Sequence, residues 1–128
     1  MRNLIGVQHV EAIVVDDHTA VSFLGHADAR VLGTPWMILW MERTSRDAVK
    51  PLLPEGWDTV GTVVNVRHAS AAKVGERVTF RAEVVEQDER RLVFRVAAEG
   101  VHGIVGDGLH ERALIDVNRF AAGLAKRK

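Results

Sequence analysis

"LGTPWMILWMERTS", residues 32–45, reads as a helix whose first two turns are apolar on every side, with one carboxylate, Glu42, where those turns give way to charge. Thr34 is a residue type that caps helix starts, and Pro35 fits the first helical position because its missing N–H has no intrahelical partner there. Pro51 marks the end of the helix, and "PLLPEGWD", residues 51–58, leaves it as a loop. Projected at about 100° per residue, Arg43, Arg46, Asp47 and Lys50 fall in one arc of roughly 100°, the wetted face. Glu42 lies outside that arc, nearest in angle to Ile38 and Val49. It either pairs with Arg46 at i,i+4 or is a carboxylate kept for chemistry, since a partly buried charge is costly without a purpose.

Outward from this helix the periodicity changes from helical to extended. "VEAIVV", residues 10–15, is a β-branched strand stopped by Asp16-Asp17, and residues 16–33 are a connecting segment with a short helix expected at 20–24. After the loop come four strands, 59–69, 76–87, 91–99 and 104–116. The second sets Val78, Phe80, Ala82 and Val84 against Arg77, Thr79, Arg81 and Glu83, the alternation of a half-buried strand, and the third repeats it with Leu92, Phe94, Val96 and Ala98. "DERR", residues 88–91, joins these two as a hairpin. Gly106 and Gly108 in the last strand predict a bulge or a close backbone approach. Asp116 is placed to cap a final helix with Val117, Phe120 and Leu124 as its stripe. The whole chain, 1–128, therefore reads as one α+β domain, an antiparallel meander on one central helix with a helix at its C-terminus.

Composition excludes several function classes. Seventeen basic and seventeen acidic residues cancel, so the chain has no positive field of the kind that nucleic acid or an anionic membrane attracts. It has no cysteine, hence no disulfide, thiolate metal site or cysteine nucleophile. The histidines at 9, 18, 26, 68, 102 and 110 show no i,i+4 pair, so no metal is expected. At the N-terminus the longest apolar run, "AIVV" at 12–15, is far short of a signal-peptide core, no segment approaches the ~20 apolar residues of a membrane span, and the expected location is cytoplasmic. His68 is in phase with Val60, Val64 and Val66, which puts a histidine on an apolar face. A core histidine satisfied by a backbone carbonyl and a catalytic partner for the Glu42 carboxylate are both open readings.

"GTPWMILWME", "VGTVVNVRHASAAKVGERVTFRAEV", "DERRLVFRVAAEGVHGIVGDG" and "HERALID" resemble the hotdog thioesterase family typified by fluoroacetyl-CoA thioesterase, over about residues 33–120. The resemblance implies a hotdog fold, with an antiparallel sheet wrapped around one long helix, and hydrolysis of an acyl-CoA. Carried across position by position, it makes Thr34 the hydroxyl, Glu42 the carboxylate and His68 the imidazole, with Gly61 beside the acyl group and Arg112 binding substrate. No cofactor is implied beyond coenzyme A as part of the substrate. The family's longer lid before the helix has no equivalent in residues 16–33, which offer only Phe23 and Leu24. A short or medium acyl group other than fluoroacetyl is therefore expected.

Thr34 and Glu42 are eight residues apart, about 12 Å along a helix axis, too far to meet at one atom. Either Thr34 folds back from the preceding loop, or a second chain completes the site, giving a homodimer with interfacial sites and further association left open. Backbone N–H groups around residues 34–37 are expected to polarise the thioester carbonyl. Two other functions stay open: an acyl-CoA-binding hotdog protein without turnover, and a hotdog enoyl-thioester hydratase, for which Asp16, Asp17 and His18 offer a loop Asp–His cluster before the helix.

Overall fold

The structure is a computed structural model that describes residues 2–23 and 25–127. Its elements in chain order are β1 (Gln8–Val14), β2 (Ala20–Ser22), β3 (Arg30–Leu32), α1 (Thr34–Val49), β4 (Trp57–His68), β5 (Arg77–Asp88), β6 (Arg91–Gly100), β7 (Gly103–Asp116) and α2 (Val117–Ala125). The four long strands and both main helices lie within two residues of their expected bounds. The expected helix at 20–24 is instead the short strand β2, which pairs antiparallel with β3, and Leu24 lies outside the described residues. β3 is in turn tied to the body of the domain by a bridge from Val31 to Lys73. Such tertiary pairing outweighs the weak helical preference of so short a segment.

The five long strands form one antiparallel sheet in the order β1-β5-β6-β7-β4. Only β5, β6 and β7 run as the expected meander. β4 pairs with β7 rather than β5, and residues 69–76 carry the chain from β4 to β5 at the far side. The sheet wraps α1 on one face, the hotdog arrangement implied by the sequence.

Alternation places the core. Val78, Phe80, Ala82 and Val84 of β5 and Leu92, Phe94, Val96 and Ala98 of β6 are all buried, facing Met37, Met41 and Val49 of α1. Trp40 stacks on Phe80 with ring centroids 6.3 Å apart. The hairpin turns at Glu89-Arg90, where Glu89 takes a left-handed φ of 52°. α1 continues into a single 3-10 turn, Lys50–Leu52, around Pro51. On its uncovered side α1 shows Trp36 at 40% and Leu39 at 38% exposure, apolar residues on the same stripe as Arg43 and Arg46. α2 is capped by Asp116, whose carboxylate accepts from the Arg119 N–H as expected, and its Val117, Phe120 and Leu124 stay exposed.

Candidate active site

Two polar clusters interrupt the face of the sheet that packs on α1, and both lie on the β4–β7 pair. The first is at the start of the helix. Thr34 is not the N-cap. Gly33 takes that position without a side-chain cap, and Thr34 is the first helical residue. Its hydroxyl shares a 2.7 Å hydrogen bond with Nδ1 of His68 instead. Gly106 lies directly opposite His68 in the ladder, and a Cβ there would sit 2.5 Å from the Met37 sulfur. The absence of that Cβ lets the first turn of α1 close on the strand bearing His68. Beyond His68 the chain is pinned by the Ala69 and Ser70 N–H groups, both donated to the Val105 carbonyl. Nε2 of His68 is buried without a hydrogen-bond partner among the described residues, which leaves the ring one free position for a proton or an acceptor.

The expected set of N–H groups at the helix start is smaller than the spacing suggests. Pro35 has none, and those of Trp36 and Met37 are donated to the Gly33 carbonyl. Thr34 is the residue of this turn whose N–H has no partner among the described residues.

The second cluster surrounds Glu42. Its carboxylate Oε2 accepts from Nη1 of Arg112 at 3.4 Å, while Arg46 forms a two-pronged pair with Asp58 at 2.9 and 2.7 Å. The i,i+4 reading of Glu42 is thus replaced by a long-range pair across the sheet. Arg112 is in turn tied to β4. It is 5% exposed and donates from Nε to Thr59 Oγ1 at 2.8 Å and from Nη2 to the Thr59 carbonyl at 3.0 Å. Gly61 stands opposite Arg112, and a Cβ there would lie 2.5 Å from Glu42 Oε2 and 3.2 Å from His110 Cε1. Glycine is what leaves room for the carboxylate.

A bulge between Gly61 and Val63 changes the phase of β4. Thr59 and Gly61 before it and Val64, Val66 and His68 after it share the helix-facing side, whereas Val60, expected there, does not. Sequence reasoning passed over two residues here, Thr59 and His110. His110 is 1% exposed, with Nδ1 at 2.8 Å from the Val63 carbonyl, which is the core-histidine pattern weighed for His68. Burial, reinforced by the Arg112 charge, holds its pKa below the usual 6.5. Burial likewise lowers that of Arg112, with Glu42 opposing the shift.

Thr34 and His68 are therefore brought together in one chain, and Glu42, Gly61 and Arg112 are brought together in another place. The two groups are not joined within the chain. Asp16, Asp17 and His18 stay in an exposed turn where Asp16 accepts from the His18 N–H and Asp17 pairs with Arg30. One His/carboxylate group, His9, Glu11 and Asp47, has ligand atoms within 4.8 Å of one another. His9 already pairs with Glu11 at 2.9 Å, and Arg43 lies close enough to stabilise the Glu11 carboxylate. No helix among the described residues is long and apolar enough to cross a membrane.

Comparison with known proteins follows the same lines. A family model described as fluoroacetyl-CoA-specific thioesterase matches residues 14–118. Fluoroacetyl-CoA thioesterase of Streptantibioticus cattleyicolor is 35% identical over 97 residues, 76% of this chain and 70% of that protein. A Thermus thermophilus protein described as a thioesterase superfamily member superposes with a TM-score of 0.87 at 29% identity, covering 98% of this chain and 94% of its own. A point variant of the fluoroacetyl-CoA-specific thioesterase, solved with fluoroacetate and CoA, gives a TM-score of 0.81 at 33% identity over 94% of this chain and 99% of that one.

Proposed function

Since the chain belongs to the fluoroacetyl-CoA-specific thioesterase family and is an acyl-CoA thioesterase, we propose that it hydrolyses a short or medium acyl-CoA other than fluoroacetyl-CoA, with Glu42 as the reacting carboxylate. The observation that carries this reading is the position of Glu42. It is a charge set apart from the Arg43, Arg46 and Asp47 face of α1, held by a buried arginine, with its side chain still 37% exposed and so reachable by substrate. The departure from fluoroacetyl selectivity rests on residues 16–33, which supply no aromatic pair over the site. Phe23 is exposed at 59%.

Hydrolysis requires polarising the thioester carbonyl, delivering an oxygen nucleophile and protonating the departing thiolate. The unpartnered Thr34 N–H at the positive end of α1 polarises the carbonyl. Glu42 attacks the carbonyl carbon or takes a proton from the water that does. His68, held by Thr34, has its Nε2 free to give a proton to the coenzyme A thiolate. Arg112 orients Glu42, and Gly61 gives the acyl group room beside it.

The separation of Thr34–His68 from Glu42 along α1, about 12 Å, supports a homodimer in which one chain supplies the pair and its partner the carboxylate. Trp36 and Leu39 of α1 and the exposed Val64, on the helix-facing side of the edge strand β4, provide the apolar face for it.

Free thiol released from a series of acyl-CoAs, acetyl to decanoyl with aryl and fluoroacetyl members, tests the function when wild type and Glu42→Gln are run together. Turnover on short or medium chains that falls by about two orders of magnitude or more in Glu42→Gln is expected. Wild-type turnover in Glu42→Gln contradicts the assignment. Ligand binding without thiol release from any member would make the chain a binding protein.

A further inference from the structure

We infer that His110 is a positioning residue for this hydrolysis: as a hydrogen-bond acceptor it fixes the guanidinium of Arg112, and through it the Glu42 carboxylate. The inference rests on the assignment of Glu42 above and concerns a residue that does not touch the substrate.

Its basis is the direction of each hydrogen bond. The Val63 carbonyl, next to the bulge in β4, accepts at 2.8 Å from Nδ1 of His110, and a carbonyl cannot donate. Nδ1 therefore carries the proton. Burial and the facing Arg112 keep the ring neutral near pH 7, so Nε2 presents a lone pair. Arg112 offers only donors, and its Nη1 lies 3.1 Å from that lone pair. Nη1 carries two hydrogens. One meets His110, and the other is directed at Glu42 Oε2, 3.4 Å away.

With Nε on the Thr59 hydroxyl and Nη2 on the Thr59 carbonyl, the guanidinium is held at all three nitrogens before Glu42 is counted. Removing the acceptor at His110 frees the Nη1 corner, the one corner that reaches the carboxylate. The bulge thus does two things. It puts Gly61 where Glu42 needs space and the Val63 carbonyl where it selects the His110 tautomer. A histidine kept only for packing would need its shape and its contact with Phe94, whose ring centroid is 6.3 Å away, but no acceptor at Nε2.

Three variants separate these roles in the acyl-CoA assay. His110→Gln puts an amide oxygen near the place of Nε2 and an amide N–H toward Val63, His110→Leu keeps the volume without either, and Phe94→Leu disturbs packing alone. The positioning role predicts that His110→Leu lowers kcat by about tenfold or more with KM changed by less than about threefold, because the loss falls on the carboxylate rather than on ground-state binding. His110→Gln then recovers most of that loss, and Phe94→Leu keeps kcat within about threefold. Should the leucine variant not fold, His110→Asn, whose amide stops one methylene short of Arg112, takes its place. Equal losses in the glutamine and leucine variants, or none in either, overturn the inference. Glu42→Gln in the same series keeps the two readings apart. If it retains wild-type kcat, the assignment of Glu42 fails. If it collapses while His110→Leu does not, only the role of His110 fails.

Discussion

The β5–β6 hairpin and the β4–β7 pair belong to one sheet and face one helix, but they present it with opposite surfaces. The hairpin turns eight buried apolar side chains toward the helix at alternate positions, Val78 to Val84 and Leu92 to Ala98. The β4–β7 pair offers Thr59, His68, His110 and Arg112, with glycines at 61 and 106 standing opposite Arg112 and His68. Each glycine removes a side chain where the helix comes close, Glu42 against Gly61 and Met37, in the same turn as Thr34, against Gly106. One half of the sheet holds the helix by burial. The other holds two polar clusters in the gaps that its glycines leave, and it lies at the β4 edge of the sheet.

That division is broken or sharpened by substitution on each side. Phe80→Ala, in the hairpin and under Trp40, should cost about 3–5 kcal/mol of stability by chemical denaturation, while kcat per folded molecule stays near wild type. Gly61→Ala should behave the other way. The new methyl meets the free end of the Glu42 side chain, which moves aside at little cost in stability but leaves its place against Arg112, so kcat falls by about tenfold or more while the thermal midpoint moves by only a few degrees. Equal stability losses in the two variants would erase the distinction.

A smaller effect comes from pH. Because the folded pKa of His110 lies below its unfolded value of 6.5, the unfolded chain binds the extra proton first. Its neutral form contributes stability above about pH 6.5 that is lost as pH falls toward the folded value. Glu42 and Glu111 oppose the shift, and burial with Arg112 outweighs them. Glu11 and Asp58, whose pKa values are lowered from 4.5 and 3.8, lose their contributions only at more acid pH. Thermal midpoints between pH 7 and 5 should therefore decline more for wild type than for His110→Gln. Parallel declines would remove His110 from the account.

The same contrast explains what was legible in the sequence. The hairpin was readable because strict period-two alternation is itself the physical cause of its burial. α1 was readable from its apolar turns and Pro35, although Thr34 spends its hydroxyl on His68 rather than on capping. β4 was readable as a strand but not in phase, since a one-residue bulge moves every later side chain to the other face. Gly61 inside a strand was the available sign of it. Thr59 and His110 went unmarked for the same reason. Both depend on the cross-strand register of β4 and β7, and only the two-residue spacing of His110 from Arg112 hinted at a shared face. The β4–β7 pairing in place of a simple four-strand meander, and the short β2–β3 pair, are long-range choices that local pattern does not encode.

The account's central claim, that Thr34–His68 and Glu42 act together across two chains, is tested most directly by co-expressing Thr34→Ala and Glu42→Ala chains under different tags and assaying thiol release from the purified hybrid. A composite site predicts that each variant alone is nearly inactive while the hybrid regains about half of the wild-type rate, because one of its two sites has all its residues intact. A hybrid as inactive as its parents would mean that each site is built within one chain, and would contradict the account.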